Sequence, residues 1–518
     1  MKKEVVIKVP PSRIDDAEWI RSQILIKLKR KPSDDIQYVL VKKSIDARKK
    51  VFFVLRVDVY IDEEIPKEDT YMDQLPEEVK NRPRILIVGA GPAGYFAALK
   101  VIELGLCPVV IDRGKDVRTR RRDLRAIQQL GEVNPHSNYC FGEGGAGTYS
   151  DGKLYTRSYK RGKISEVLKI LVEHGAKSDI LVDAHPHIGS NKLPGIVAAI
   201  RESIINHGGE VHFETYITDL LIQDEKIIGV STKRGKEIKG EAVILATGHS
   251  ARDIYRLLSR KGIKQEKKPF ALGVRIEHPQ PLIDEIQYGM KTRHPNLPAS
   301  SYRLACQVDG KGVFSFCMCP GGLIVPAATA PGELVVNGMS LSRRDSPYAN
   351  SGFVTAIDTD EMEMKGYEGL FGHLDFQQEV EQRFFNYGDG SQKAPAQRVT
   401  DFVNKKESGM VNECSYIPGV YPAPVHELLP DFVYSRLRAA ILTFDKTMKG
   451  YYTEEAQVVG VESRTSSPIR IPRNKETLMH EDCKGLFPCG EGAGYAGGIL
   501  SAAMDGQNVA RAVARYLN

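Results

Sequence analysis

Residues 85–100 read ILIVGAGPAGYFAALK, a branched-aliphatic run that breaks at Gly-x-Gly-x-x-Gly and resumes as a helix-forming segment. No other stretch limits the fold as strongly, because a strand, a glycine turn and a helix in that order make a backbone cradle for phosphate. Gly89 permits the tight turn, Gly91 lets the backbone approach a pyrophosphate, and Gly94 lets the helix pack closely on the strand. Pro92 and Ala93 open the helix, whose first turn offers unpaired N–H donors and a positive pole. A second strand, CPVVIDRG, ends at Asp112, 18 residues past Gly94, with Arg113 after it. A carboxylate there can accept hydrogen bonds from both hydroxyls of a ribose, so the segment predicts a βαβ unit that holds a dinucleotide. Gly142/Gly144/Gly147 and Gly492/Gly494/Gly497 match the pattern formally, but the former follows NPHSNYCF instead of a strand.

The rest of the chain arranges itself around that unit. At 518 residues it exceeds one hydrophobic core and implies roughly two to four domains. Residues 1–80 read as strand, amphipathic helix and strand pair, a small α+β (βαββ) module, followed by a proline-containing acidic linker. Residues 81–265 alternate strands and helices. Residues 266–455 show many short β-like runs, Gly/Pro turns and few long helices, and residues 456–518 return to strand, glycine turn and helix. The predicted fold is α/β: a Rossmann-like nucleotide-binding domain in two parts, mixed with a β-meander within 208–248 and interrupted by a β-rich α+β domain.

Composition narrows the function classes. With 42% hydrophobic and 27% charged residues the chain is a soluble globular protein. No apolar run reaches the ~18 residues a membrane span needs, and the first residues lack a signal-peptide core. Eight scattered cysteines without a Cys-x-x-Cys pair fit a reducing cytoplasm. Residues 1–50 carry 14 Lys/Arg against 7 Asp/Glu, but residues 51–80 reverse this with 3 against 9, so no stable nucleic-acid partner is expected.

Three motifs together resemble the two-dinucleotide-fold flavoproteins, the group of glutathione reductase and fumarate reductase. They are GAGPAG with IDRG, the strand end EAVILATGHSA, and the late strand GLFPCGE. The resemblance implies FAD, one extended cofactor held by both ends of the chain. Thr247, Gly248 and Gly490 would lie against it, and Glu491, where the group usually has Asp, would hold the ribityl chain. Gly497, Gly498 and Ile499 would start a helix whose positive pole faces the flavin. The loop GEGGAGTYSDGKL is either a surface loop or, by the same analogy, a wrap around the cofactor using Gly145, Gly147, Ser150, Asp151, Gly152 and Lys153. Backbone near Tyr216 and Ile217 would meet the adenine. HPHIGSNKL, FALGVRIEHPQ, FCMCPGG and ESRTSSPIRI extend the likeness over nearly the whole chain, to a family of bacterial FAD-dependent dehydrogenases.

The expected activity is an FAD-dependent oxidoreductase passing hydride through flavin N5 to or from a small molecule bound between the FAD and inserted domains. No second fingerprint offers a resident NADPH site, so NAD(P)H would bind transiently. An RNA-modifying flavoprotein and a non-catalytic FAD binder are the alternatives. Cys317 and Cys319 in FSFCMCPGG are either flavin-facing thiols, on one face of a strand, or small core residues. Arg464 in ESRTSSPIR either fixes a substrate carboxylate or belongs to an internal Arg–Glu pair. His185 and His187 are acid/base groups, metal ligands or structural, and the seven basic residues from Arg113 to Arg125 read an anion or form a solvated helix face.

Overall fold

Five short, almost wholly aliphatic strands frame the molecule, and strands of that composition are stable when both faces are covered. In the computed structural model, which describes residues 1–66, 69–155 and 162–518, they form a parallel sheet. Its order is Leu486–Pro488, Ala242–Leu245, Arg84–Val88, Cys107–Ile111, Glu210–His212. Successive residues of a strand point to opposite faces. Ile85, Ile87, Val110 and Ile244 accordingly join a core with the helices Pro92–Glu103, Ile164–Glu173, Leu193–Asn206 and Ile499–Leu517. Leu86, Val88, Ile111 and Leu245 join a second core with the meander Ile217–Gln223, Lys226–Thr232, Glu237–Lys239 and the helix Arg252–Arg260.

The register carries the architecture. Val88 pairs with Leu245, and Leu245 with Pro488, so three strands from distant parts of the chain end side by side. The helices that follow the first and last of them cross closely: a Cβ on Gly506 would run into the Ala93 carbonyl oxygen.

The sequence between the meander and the late strand builds a seven-stranded sheet. Its order is Ala305–Val308, Lys311–Cys319, Tyr348–Ile357, Phe270–Pro279, Gln457–Glu462, Ala394–Arg398, Val420–Pro422. The few long helices of the segment are Gly372–Tyr387 and Asp431–Thr447. One detail differs from the reading of the sequence. Gln457–Glu462 pairs with Phe270–Pro279 and Ala394–Arg398, so the chain leaves this sheet after Glu462 and not near 455. Glu266–Lys267 and Ile469–Arg470 pair where the chain enters and leaves.

The first sixty residues form the expected βαββ unit, with strand order Lys2–Val9, Phe52–Ile61, Ile36–Asp46 and the helix Ala17–Leu28 capped by Asp16. Its core takes in Tyr288 and Leu297 from the inserted segment. Lys67 and Glu68 of the linker lie outside the described residues.

The central strand Phe270–Pro279 buries a titratable group. His278 is fully buried among the rings of Tyr302 and Tyr451, its Nε2–H donating to Tyr451 O at 2.9 Å while Nδ1 has no partner. Burial pulls its pKa from 6.5 down to about 4. The unfolded chain therefore takes up a proton that the folded one refuses, and stability that is full above pH 6.5 drains as pH falls toward 4. His278→Gln, which keeps the hydrogen bond but does not titrate, is expected to flatten the loss of denaturation midpoint across this window. An acid limb as steep as the parent's contradicts that origin.

Candidate functional site

Because the three adjacent strands end together, the turns after Val88, Leu245 and Pro488 line one cavity of about 420 Å³. Within the first turn Gly89 has φ +111°, and a Cβ there would strike the Ala246 backbone, so the first two turns touch directly. Gly91 opens toward the cavity and meets nothing nearer than Gly145 Cα, at 3.9 Å. Gly94 does not line the cavity: its missing side chain lets the helix lie on the Gly89 carbonyl. Pro92 and Ala93 face the cavity. Asp112 is aimed by the backbone, Oδ2 accepting from Ala90 N–H and Oδ1 from Gly114 N–H, both at 2.8 Å, and each oxygen retains a lone pair for a ligand.

The loop from Gly142 lies on this turn. Gly144 N–H donates to Ala90 O at 2.8 Å, and Gly145, at φ +58°, brings its Cα against Gly91. A Cβ on Gly147 would stand 3.2 Å from both Pro92 Cγ and Ile499 Cγ1, so the loop runs between the N-termini of the two helices. Arg120, fully buried, holds it by donating to the carbonyls of Asn138 at 2.8 Å, Glu143 at 2.8 Å and Gly145 at 3.0 Å. Ser150 is spent locally, donating to Gly147 O and accepting from Gly152 N–H. Asp151 ties the loop to the inserted segment through Arg344 at 2.5 Å and the Ser340 hydroxyl, with Lys153 Nζ 3.8 Å away. Burial pushes the Asp151 carboxyl up, but Lys153, Arg344 and Ser340 outweigh it and hold it below its usual range.

At one end of the cavity Arg113 lies over the rings of Phe141 and Tyr216, at 4.5 and 4.9 Å, and pairs with Asp253, beside Ile217. At the other, Thr247, Gly248, Glu491, Gly497, Gly498 and Ile499 converge. Gly490 stays out of the cavity and donates its N–H to Asp505, which Arg473 holds at 2.6 Å.

His249, absent from the sequence expectations, stands here. Its Nδ1 lies 3.3 Å from Glu491 Oε2, and its Nε2 is buried without a protein partner. The signal was present, since His249 directly follows Ala-Thr-Gly, but only the fold shows that it meets Glu491. Ser250 Oγ beside it is likewise buried and unpartnered. Unmet buried polar atoms on a cavity wall are what a bound polar group satisfies.

The candidates for chemistry separate. Cys317 lines the cavity, whereas Cys319 lies wholly buried outside it. Arg464 reaches the wall, but its guanidinium is engaged by Glu333 at 2.7 Å, Glu381 at 2.8 Å and the Thr329 hydroxyl. It is thus a buried strut with its charge answered, and its partners are Glu333 and Glu381, not neighbouring Glu462, which pairs with Arg275. His187 donates its Nε2–H to Ser342 O as part of the loop packing, and burial pulls its pKa down to about 4. Among the described residues no cluster of three or more His, Cys, Asp or Glu could hold a metal ion. The basic helix Val117–Gln129 turns Arg118, Arg121, Arg122 and Arg125 to solvent and buries only Arg120 of its arginines.

Comparison with known proteins bears on this geometry. An uncharacterized protein of Clostridium beijerinckii is 42% identical over 517 residues, covering 96% of each chain. The chain belongs to the same family as that clostridial protein. Residues 269–465 match the family model "FAD-dependent protein, C-terminal domain-like", and residues 1–60 match a domain of unknown function, DUF8436. Similar solved structures include tetracycline destructase Tet(51), 12% identical over 84% of this chain and 85% of that one with a TM-score of 0.33. Flavin-dependent brominase Bmp2 is 14% identical over 84% and 79%, with a TM-score of 0.36. Glycine oxidase from Bacillus cereus is 12% identical over 83% and 95%, with a TM-score of 0.31. The cofactor is FAD, and the residues fit it: glycine-only approaches at one end, the oriented Asp112 carboxylate, and the unmet His249 and Ser250 at the other. Among the described residues no helix is long and apolar enough to cross a membrane.

Two outcomes follow from this geometry. Arg464→Met leaves Glu333 and Glu381 buried with Arg252 alone and is expected to cost about 3–5 kcal/mol in denaturant unfolding; a midpoint within error of the parent contradicts the strut role. Gly145→Val, forced to φ +58° against Gly91, is expected to weaken FAD binding at least ~10-fold, read by fluorescence titration, about 1.4 kcal/mol. Undiminished affinity removes that loop from the cofactor site.

Proposed function

We propose that the protein is an FAD-dependent oxidoreductase that passes a hydride between FAD and a small molecule lying between the parallel sheet and the inserted segment. One observation carries the reading: a single cavity has the three nucleotide turns on one wall and Phe316, Cys317, Val325 and Asn337 of the inserted segment on the other. Bound FAD supplies hydride exchange at its ring, and the chain supplies the setting. Asp112 orients a ribose, and the loop Gly142–Gly147 with the first turn presents backbone close enough for a pyrophosphate. The helix Ile499–Leu517 directs its N-terminal pole, about half a positive charge, at the wall formed by Gly497 and Gly498, where it favours negative charge on a reduced ring. Phe316, Val325 and Ala327 give the facing wall an apolar part. His249 Nε2, with Nδ1 held by Glu491, is free to donate to or accept from the ligand.

NADH or NADPH would deliver the hydride as a transient visitor, since the sequence holds a single complete dinucleotide fingerprint. Purified, FAD-loaded protein mixed anaerobically with each nucleotide, then with candidate organic donors, is expected to lose its flavin absorbance with at least one of them. A fully loaded protein that none of these donors reduces contradicts the oxidoreductase reading and leaves a binding role.

A further inference from the structure

The strand Lys311–Cys319 ends in Cys317-Met318-Cys319, and it is irregular where the first thiol sits. Pairing with Tyr348–Ile357 shifts register between Phe316 and Cys319, and Cys317 has φ +43°, a conformation that residues with a side chain seldom adopt. Regular alternation puts residues two apart on one face. The bulge undoes this: half-buried Cys317 opens onto the cavity, while Cys319 is fully buried just behind it, its Sγ 3.2 Å from Cys317 O.

A fixed cation holds the Cys317 backbone and touches the Cys319 thiol. Arg275 is fully buried and paired with Glu462 at 2.9 Å, its Nη2 donating to Cys317 O at 2.7 Å and lying 3.6 Å from Cys319 Sγ. Lys153 lines the same cavity. Contact with the Cys319 thiol, helped by Lys153 and Arg275, lowers Cys317 against the opposing effect of burial; the same contact and burial raise Cys319. Burial pushes the Cys107, Cys306, Cys414, Cys483 and Cys489 thiols up, as expected of core residues. An open sulfur that ionises readily, beside a shielded sulfur that keeps its proton, is the asymmetry of an attacking and a resolving thiol.

We propose that Cys317 and Cys319 form a redox dithiol that exchanges electrons with the bound FAD and reduces small disulfides, Cys317 attacking and Cys319 resolving. The proposal rests on the flavin reading above and adds a substrate class to it. Cys317 thiolate attacks one sulfur of the substrate disulfide and expels the other as a thiolate. Cys319, losing its proton to that thiolate, then attacks Cys317 Sγ, which closes the internal disulfide and releases the second thiol. The internal disulfide would be reopened by the two electrons that bound, reduced FAD supplies, giving back the Cys317 thiolate and the Cys319 thiol, with NAD(P)H as the source of those electrons.

The test uses the full-length, FAD-loaded protein, treated with the thiol oxidant diamide, desalted and titrated anaerobically with dithionite. The parent is expected to take up four electrons per flavin, two for the ring and two for the disulfide, and Cys317→Ser and Cys319→Ser only two. Alkylation under denaturing conditions is expected to find two fewer free thiols in the oxidised parent than in the reduced one, with peptide mapping placing the loss at Cys317 and Cys319. Cys319→Ala serves if serine in that buried position prevents folding, and the half-buried Cys317→Ser gives the same answer independently. Two electrons per flavin in the parent, with all eight cysteines still alkylated, overturns the dithiol. Protein that binds no FAD shows no flavin absorbance to titrate; that failure belongs to the flavin reading and takes the proposal with it.

Discussion

The structure turns on the side-by-side ending of three parallel strands, Arg84–Val88, Ala242–Leu245 and Leu486–Pro488. Backbone hydrogen bonding between parallel strands fixes their register, and register fixes where each strand releases its turn. Since Val88, Leu245 and Pro488 lie level, the Gly89, Thr247 and Glu491 turns meet, although some 400 residues separate the first from the last. Glycine makes the meeting close: at Gly89 and Gly145 the backbone of one turn occupies the place of the other's side chain. The cavity is what remains between them.

Buried charge fixes the opposite wall. Arg252, on a helix of the parallel-sheet unit, and Arg464, on the returning segment, share Glu333 and Glu381 from the inserted segment. Such groups pay a large desolvation cost that is offset only by near-ideal partners, so they define one arrangement more than they add stability. Arg344 with Asp151 does the same for the glycine loop, and Arg275 with Glu462 for the bulge that carries Cys317. Arg120 differs: it is satisfied by carbonyls alone, which leaves its positive charge behind a loop suited to an anionic ligand.

Much of this was legible in the residues. The strand–glycine–helix order around Gly89 and the β-α-β-β pattern of the first module rest on local periodicity and turn chemistry, and local rules suffice for both. Family likeness carried the reading to Ala246–Gly248, Glu491 and the loop after Gly142. What escaped were features that depend on distant partners. The strand Gln457–Glu462 belongs to the inserted sheet only through neighbours about 60 and 180 residues away. Arg464 stayed open between a substrate contact and an internal pair because Glu333 and Glu381 are remote in the chain, and His249 drew no reading because Glu491 is equally remote.

The sequence by itself determined the strand, glycine turn and helix around Gly89 and the second strand that leads to Asp112, since the spacing of three glycines and an acid is a local backbone requirement. That the late strand and helix join the same unit was implied by the likeness of GLFPCGE to a flavoprotein motif, and the parallel pairing of Ala242–Leu245 with Leu486–Pro488 puts them in the same sheet. Only the tertiary structure decided which charges are spent and which are free, and that Cys317 faces the cavity while Cys319 does not. The physical reason is that burial, ion pairing and a one-residue bulge are settled by what packs against a residue, and contacts across hundreds of residues leave no periodic trace in the chain.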